Sequence, residues 1–133
     1  MRVTLDTNTI KSIDLFQKLT GTSVIDCCIY DDIYFVVAKG QYGLAVGKDG
    51  NKIKNAERVF KKRVRVFEYS PDLEGFIRNI IPDVQEIKIE DKIINVKVKQ
   101  SSRARIIGKA GKNIKIISKF LERLFDMDEL KVR

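Results

Sequence analysis

Two stretches decide the reading of this chain. Gly47-Lys48-Asp49-Gly50-Asn51-Lys52-Ile53-Lys54 and Gly108-Lys109-Ala110-Gly111-Lys112-Asn113-Ile114-Lys115 lie 61 residues apart and are identical at five of eight positions. Two further positions merely exchange Asn with Lys. Upstream, IYFVVAK (33–39) precedes the first stretch and INVKVK (94–99) the second, within one residue of register. Downstream, each runs into an amphipathic helical pattern and then a short apolar segment. A fixed offset of this kind means two copies of one supersecondary unit. The 133 residues are therefore expected to form two small domains, residues 1–70 and 71–133. Each is close to the size, roughly 55–65 residues, at which domains fold alone but only marginally.

Each copy reads in the same order. In the first, Thr7 or Asn8 is a candidate cap for a helix through Leu19, with Ile10, Ile13, Leu15, Phe16 and Leu19 as its apolar face and Gly21 as its stop. Val24–Tyr30 and Ile33–Lys39 are β-branched and aromatic runs split by Asp31-Asp32, which predicts a hairpin. Gln41–Val46 is a short turn-and-helix piece. Asn51–Lys62 predicts a helix with Ile53, Ala56 and Phe60 inward, and Val64–Tyr69 a strand. In the second copy Asp72–Ile81 predicts a helix stopped by Pro82. Val84–Glu90 and Lys92–Lys99 alternate apolar and polar as half-buried strands do. Ser101–Ile107 leads to the second glycine pair. Lys112–Phe125 predicts a helix with Ile114, Ile117, Leu121 and Leu124 on one stripe and Lys112, Lys115, Lys119 and Arg123 opposite, and Leu130–Val132 is a last short strand. Glu68-Tyr69-Ser70-Pro71-Asp72 is the one candidate linker; lacking a Gly/Ser tract, it predicts a fixed relative orientation.

Composition removes chemistry. There is no His, hence no imidazole base, no His-based zinc site and no Ser-His or Cys-His pair. Cys27 and Cys28 are adjacent in a strand and point to opposite faces, so they neither share a metal nor bridge easily; one buried and one partly exposed thiol are expected. No motif brings carboxylates and lysines together as a catalytic pair. A binding protein rather than an enzyme is expected, with no metal and no cofactor. No apolar run approaches the ~20 residues of a membrane span and the N-terminus lacks a signal-peptide core, which predicts a cytoplasmic protein.

The charge is concentrated. With 26 Lys and Arg against 18 Asp and Glu, the net charge is +8. Lys39–Arg65 carries nine basic residues against Asp49 and Glu57, and Lys97–Arg123 nine against Glu122 alone. The rest of the chain is net acidic. Two basic blocks, each centred on a glycine pair, are the footprint of a polyanion.

Two glycines three apart let the backbone turn sharply and approach a ligand without a Cβ in the way. The helix that follows at once turns its unpaired N–H groups and positive dipole end toward the loop, so an anion, most simply a phosphate, is the natural occupant. Lys48 and Lys109 add a cation at each tip, and Lys52 and Lys112 lie just inside the helix. A Walker A loop does not fit: Tyr42 and Ile106 stand where its first Gly belongs, and Asp49 and Asn113 where Ser or Thr must follow the Lys. Nor do Gly40, Gly43 and Gly47 have dinucleotide-fingerprint spacing.

The order α-β-β-α-GxxG-α-β resembles the KH domain in its type II arrangement, twice in tandem. LTGTSVIDC (19–27), VVAKGQYGLAVGKDGNKIK (36–54), VFEYSPD (66–72) and IIGKAGKNIKIISKFL (106–121) resemble the KH-only, NusA-like transcription factors of archaea, from about residue 5 to Val132. The resemblance implies an α+β fold of two tandem type II KH domains, each with helices on one face of a three-stranded sheet. It also implies single-stranded RNA as partner, about four nucleotides of it clamped by each GxxG loop.

By position, Gly47, Lys48, Asp49 and Gly50 would be the first clamp and Gly108, Lys109, Ala110 and Gly111 the second. Leu44, Ala45, Val46 and Ile53, with Ile106, Ile107 and Ile114, would line an aliphatic groove, although core is the expected role of Ile53 and Ile114. Arg103 and Arg105 would reach phosphates or bases, Tyr42 is a stacking candidate, and Asp49 predicts a weaker first clamp. Bacterial NusA proteins add a polymerase-binding N-terminal domain and an S1 domain, for which this length leaves no room. RNA polymerase is thus a second expected partner behind RNA, and a monomer is expected. Alternatives are a KH protein of ribosomal RNA or ribosome assembly, one that binds single-stranded DNA, and a protein-interaction module with degenerate loops.

Overall fold

A computed structural model describes residues 6–133; residues 1–5, which the sequence reading places in the first domain, lie outside the described residues. The chain divides into two compact units, the division falling between Pro71 and Asp72. The first holds α1 (Thr7–Thr20), β1 (Val24–Ile29), β2 (Ile33–Val37), α2 (Tyr42–Val46), α3 (Asn51–Phe60) and β3 (Val64–Glu68). The second repeats that order as α4 (Leu73–Ile80), β4 (Val84–Glu90), β5 (Ile93–Val98), α5 (Arg103–Ile107), α6 (Lys112–Phe125) and β6 (Glu129–Val132). Each sheet has three strands in sequence order. The first two pair antiparallel as a hairpin, and the third lies parallel to the second after the helical crossover. Even the irregularity repeats, as a register shift between Val24 and Asp26 and another between Val84 and Glu86.

Strand alternation builds the first core. Ile33, Phe35 and Val37 of β2 and Val64 and Val66 of β3 join Cys27, Phe16, Ala45 and Ala56 in one buried cluster, against which Ile13, Leu19, Ile53 and Phe60 pack. Phe16 of α1 stacks on Phe35 with ring centroids 4.0 Å apart, and Phe60 of α3 approaches the same ring at 5.8 Å. Aromatic pairs of this kind add about 0.5–1.5 kcal/mol beyond their buried area. In the second unit the buried set includes Phe76, Ile77 and Ile80 of α4, Ile94, Val96 and Val98 of β5, and Val132 of β6. This α+β architecture is that of two tandem KH units.

Four local expectations need correction. The cap of α1 is Asp6, whose side chain accepts from the Thr9 N–H at 2.8 Å, not Thr7 or Asn8. Ile10 and Leu15 are not on the buried face of α1: they are 47% and 37% exposed, because at ~100° per residue each lies 100° or more around the helix from Phe16. Cys28 is as buried as Cys27; it faces the side of the sheet opposite the helices and stands beside Tyr34 in the ladder, whose ring lies near that of Phe67. Finally, α6 buries Ile116 and Phe120 besides Ile117, Leu121 and Leu124, a wider arc than one stripe, while Ile114 stays half-buried.

Candidate nucleic-acid interface

In each unit a five-residue helix ends at the first glycine and a longer helix starts after the second. The Gly47 N–H closes α2 on the Gly43 carbonyl at 2.9 Å, and the Gly108 N–H closes α5 on the Ala104 carbonyl at 2.9 Å. One 3₁₀ turn follows, Lys48–Gly50 or Lys109–Gly111, held by Gly50 N–H to Gly47 O at 3.2 Å and Gly111 N–H to Gly108 O at 3.1 Å. The backbones are nearly superimposable. Gly47 has φ 78°, ψ 174° and Gly108 φ 79°, ψ 171°, while Asp49 and Ala110 share φ 55°, ψ 27°. Gly50 and Gly111 are left-handed at φ 74° and 73°. Different side chains thus close the same loop twice.

The two glycines of each pair are needed for different reasons. The first sits where φ is positive and ψ extended, a region open essentially to glycine alone. A Cβ on Gly47 would run into Asn51 Oδ1 and come within 2.7 Å of Lys52 Cγ, and one on Gly108 within 2.9 Å of the Asn113 backbone nitrogen. A Cβ on the second glycine would meet nothing closer than 3.8 Å, so that glycine answers only for its left-handed conformation. No side chain caps α3 or α6, so the first-turn N–H groups stay turned to the loop.

Lys48, Asp49, Lys109 and Ala110 are exposed at the tips, and Lys112 is exposed at the start of α6. Leu44 is 44% and Tyr42 49% exposed on α2, with Val46 and Ile107 half-buried beside the loops. Ala45 and Ile106, 0% and 4% exposed, are core rather than groove, and Ile53 packs on the core as expected. Arg103 is exposed; Arg105 extends to Asp83 at 3.5 Å while its side chain stays 70% exposed. Lys52 does something else. Its ammonium donates to the Thr20 carbonyl at 2.9 Å, placing a cation on the last carbonyls of α1, where the helix dipole favours one.

Sequence reasoning overlooked the parts that brace the loops. Asn113 Nδ2 donates to the Arg105 carbonyl at 3.1 Å, tying α6 back to α5 across the second loop. Ser102 Oγ donates to Asp83, and in the first unit Gln41 Oε1 accepts from the Ser23 N–H at 2.6 Å. Both bonds anchor the residue before the short helix to the segment leading into the first strand. The repeat held the signal: Gln41 and Ser102 occupy equivalent positions 61 residues apart.

Comparison with known proteins agrees with this geometry. The NusA-like second KH domain profile matches residues 73–133 and the KH domain profile residues 12–86. "Probable transcription termination protein NusA" of Methanococcus vannielii is 39% identical over 99% of this chain and 80% of its own length. The proteins of the same name from Methanocaldococcus jannaschii and Halococcus morrhuae are each 33% identical, over 98% and 99% of this chain and 75% and 99% of their own lengths. The crystal structure of APE1850 superimposes with a TM-score of 0.79 at 28% identity, covering 97% of this chain and 100% of that one. Among the described residues no helix is long and apolar enough to cross a membrane. Two GxxG units in tandem, matched along nearly the whole chain, place it in the NusA-like KH family of archaea, to which it belongs.

Proposed function

We propose that this chain is a single-stranded-RNA-binding transcription factor that holds the nascent transcript through both GxxG loops and acts in elongation, termination or antitermination, with RNA polymerase as its protein partner. The observation that carries the reading is one loop geometry built twice, each copy with an exposed lysine at its tip and an uncapped helix behind it. The relatives named for transcription termination support the setting. In this reading Lys48 and Lys109, with Lys112, Arg103 and Arg105, meet phosphates. Leu44, Val46 and Ile107 offer apolar contact to bases. The glycines and Ala110 let the RNA backbone come close, and Asp49 weakens the first clamp by repelling phosphate. The work is binding, not catalysis.

Salt dependence tests it. With four to six phosphates neutralised, log K for a single-stranded RNA should fall against log salt concentration with a slope of about −3 to −4. A slope near zero removes the phosphate clamp. Adding the protein to transcribing RNA polymerase should then shift the positions at which transcripts end; unchanged ends together with retention on ribosomal particles would move the protein to ribosome assembly.

A further inference from the structure

Behind the first loop the outer face of α3 carries cations that neither the core nor the clamp uses. Lys54 and Arg58 are exposed and fall within about 40° of arc along about 6 Å of helix axis; exposed Lys61, the left-handed residue that ends α3, and exposed Arg63 follow. The row starts at the loop, since Lys54 Cε lies 3.9 Å from where a Cβ on Gly50 would stand. Several cations elsewhere have carboxylate partners: Arg65 with Asp32, Lys88 with Glu86, Lys92 with Asp126, Arg105 with Asp83. Among the described residues Lys54, Arg58 and Lys61 have none within ion-pair distance. Glu57, the one acid on α3, turns its carboxylate to accept from the Val64 N–H at 3.0 Å. Like charges three and four apart on a helix repel, and a face kept only for solubility would mix signs. The second unit keeps two of these positions, with Lys115 and Lys119 of α6 where Lys54 and Arg58 stand and both exposed, and places Glu122 where Lys61 stands.

We propose that the outer face of α3 is a second phosphate track, on which the RNA strand leaving the first GxxG loop continues past the clamped nucleotides, held by its sugar–phosphate backbone without regard to sequence. This rests on the RNA-binding reading above. The occupant follows from charge complementarity and continuity with the loop. It extends the footprint of the first unit beyond four nucleotides.

The test compares fluorescein-labelled RNAs of randomised sequence, 6 and 16 nucleotides long, binding to the full chain and to Lys54→Gln/Arg58→Gln/Lys61→Gln. Glutamine keeps most of the side-chain length and suits a helix, and thermal unfolding checks that the variant is folded. The 16-mer should lose affinity on the order of ten- to a hundredfold in 0.1 M salt, its salt slope becoming shallower by about 2, while the 6-mer changes less than about twofold. Equal losses for both lengths would assign the three cations to the clamp, and no loss for either would leave them a solvated face; each overturns the track. Unchanged RNA binding with lost binding to purified RNA polymerase would give the face to a protein and also overturns it. Failure of the unaltered chain to bind either RNA would instead sink the RNA-binding reading itself.

Discussion

Reversing both loop-tip charges, Lys48→Asp together with Lys109→Asp, is expected to abolish single-stranded RNA binding while leaving thermal unfolding almost unchanged. Both lysines are exposed and donate no structural hydrogen bond. The turn they start is held by bonds from Gly50 and Gly111, which a new side chain does not touch, and surface changes of this kind usually stay within about 0.5 kcal/mol. The binding loss follows from charge. Each phosphate contact adds about 0.7 to the single-strand salt slope, and each reversal removes a contact and adds a repulsion. Two reversals therefore cost on the order of 10²–10³-fold in 0.1 M salt. Titration of a labelled 16-nucleotide RNA, with a parallel melting curve, measures both quantities. Normal RNA binding by the double variant would mean that the loops are not the clamp. Between the single variants, Lys109→Asp should do more harm, because Asp49 already weakens the first tip and Ala110 leaves the second unopposed.

What could be read in advance was whatever the chain writes locally and twice. Element order and the bounds of α6 (Lys112–Phe125) matched the expectation because glycine pairs, β-branched runs and an apolar helical period are short-range signals, and an internal duplicate checked each. Losses came where a residue's role depends on something distant. Lys52 looked like a phosphate ligand by position, but its ammonium reaches Thr20, 32 residues earlier. Ala45 and Ile106 lie on helices of five residues, too short for periodicity to tell core from groove. Asp6, Thr7 and Asn8 are three good caps in a row, and the extended backbone of Asp6 with its bond from the Thr9 N–H decides among them. Cys28 shows the same limit for strands: alternation says which face a residue takes, and long-range packing says whether that face is covered.

Substituting the two glycines of the second loop should separate folding from flexibility. Gly108→Ala is expected to destabilise the protein by about 2–6 kcal/mol, as the sum of a glycine-only backbone region, about 1–3 kcal/mol, and overpacking, about 1–3 kcal/mol. Its new methyl would stand 2.8 Å from Asn113 Cγ and 2.9 Å from the Asn113 backbone nitrogen. Neither can move away cheaply: the side chain is held by its bond to the Arg105 carbonyl, and the nitrogen belongs to the first turn of α6. Gly111→Ala meets nothing closer than Ile114 Cγ2 at 3.8 Å and pays only for its left-handed conformation, about 1–2 kcal/mol. Gly111→Asn should cost less still, since Asn tolerates that region. Urea unfolding of the three variants, read at constant m-value, gives the ranking directly. A loss of that size is a large share of the 5–15 kcal/mol that typically holds a domain, so Gly108→Ala should fail through its fold, whereas Lys109→Asp, one residue on, should fail only in binding. Equal costs for Gly108→Ala and Gly111→Ala would show that the first glycine is not packed against α6, and that the loop is freer than its twofold geometry requires.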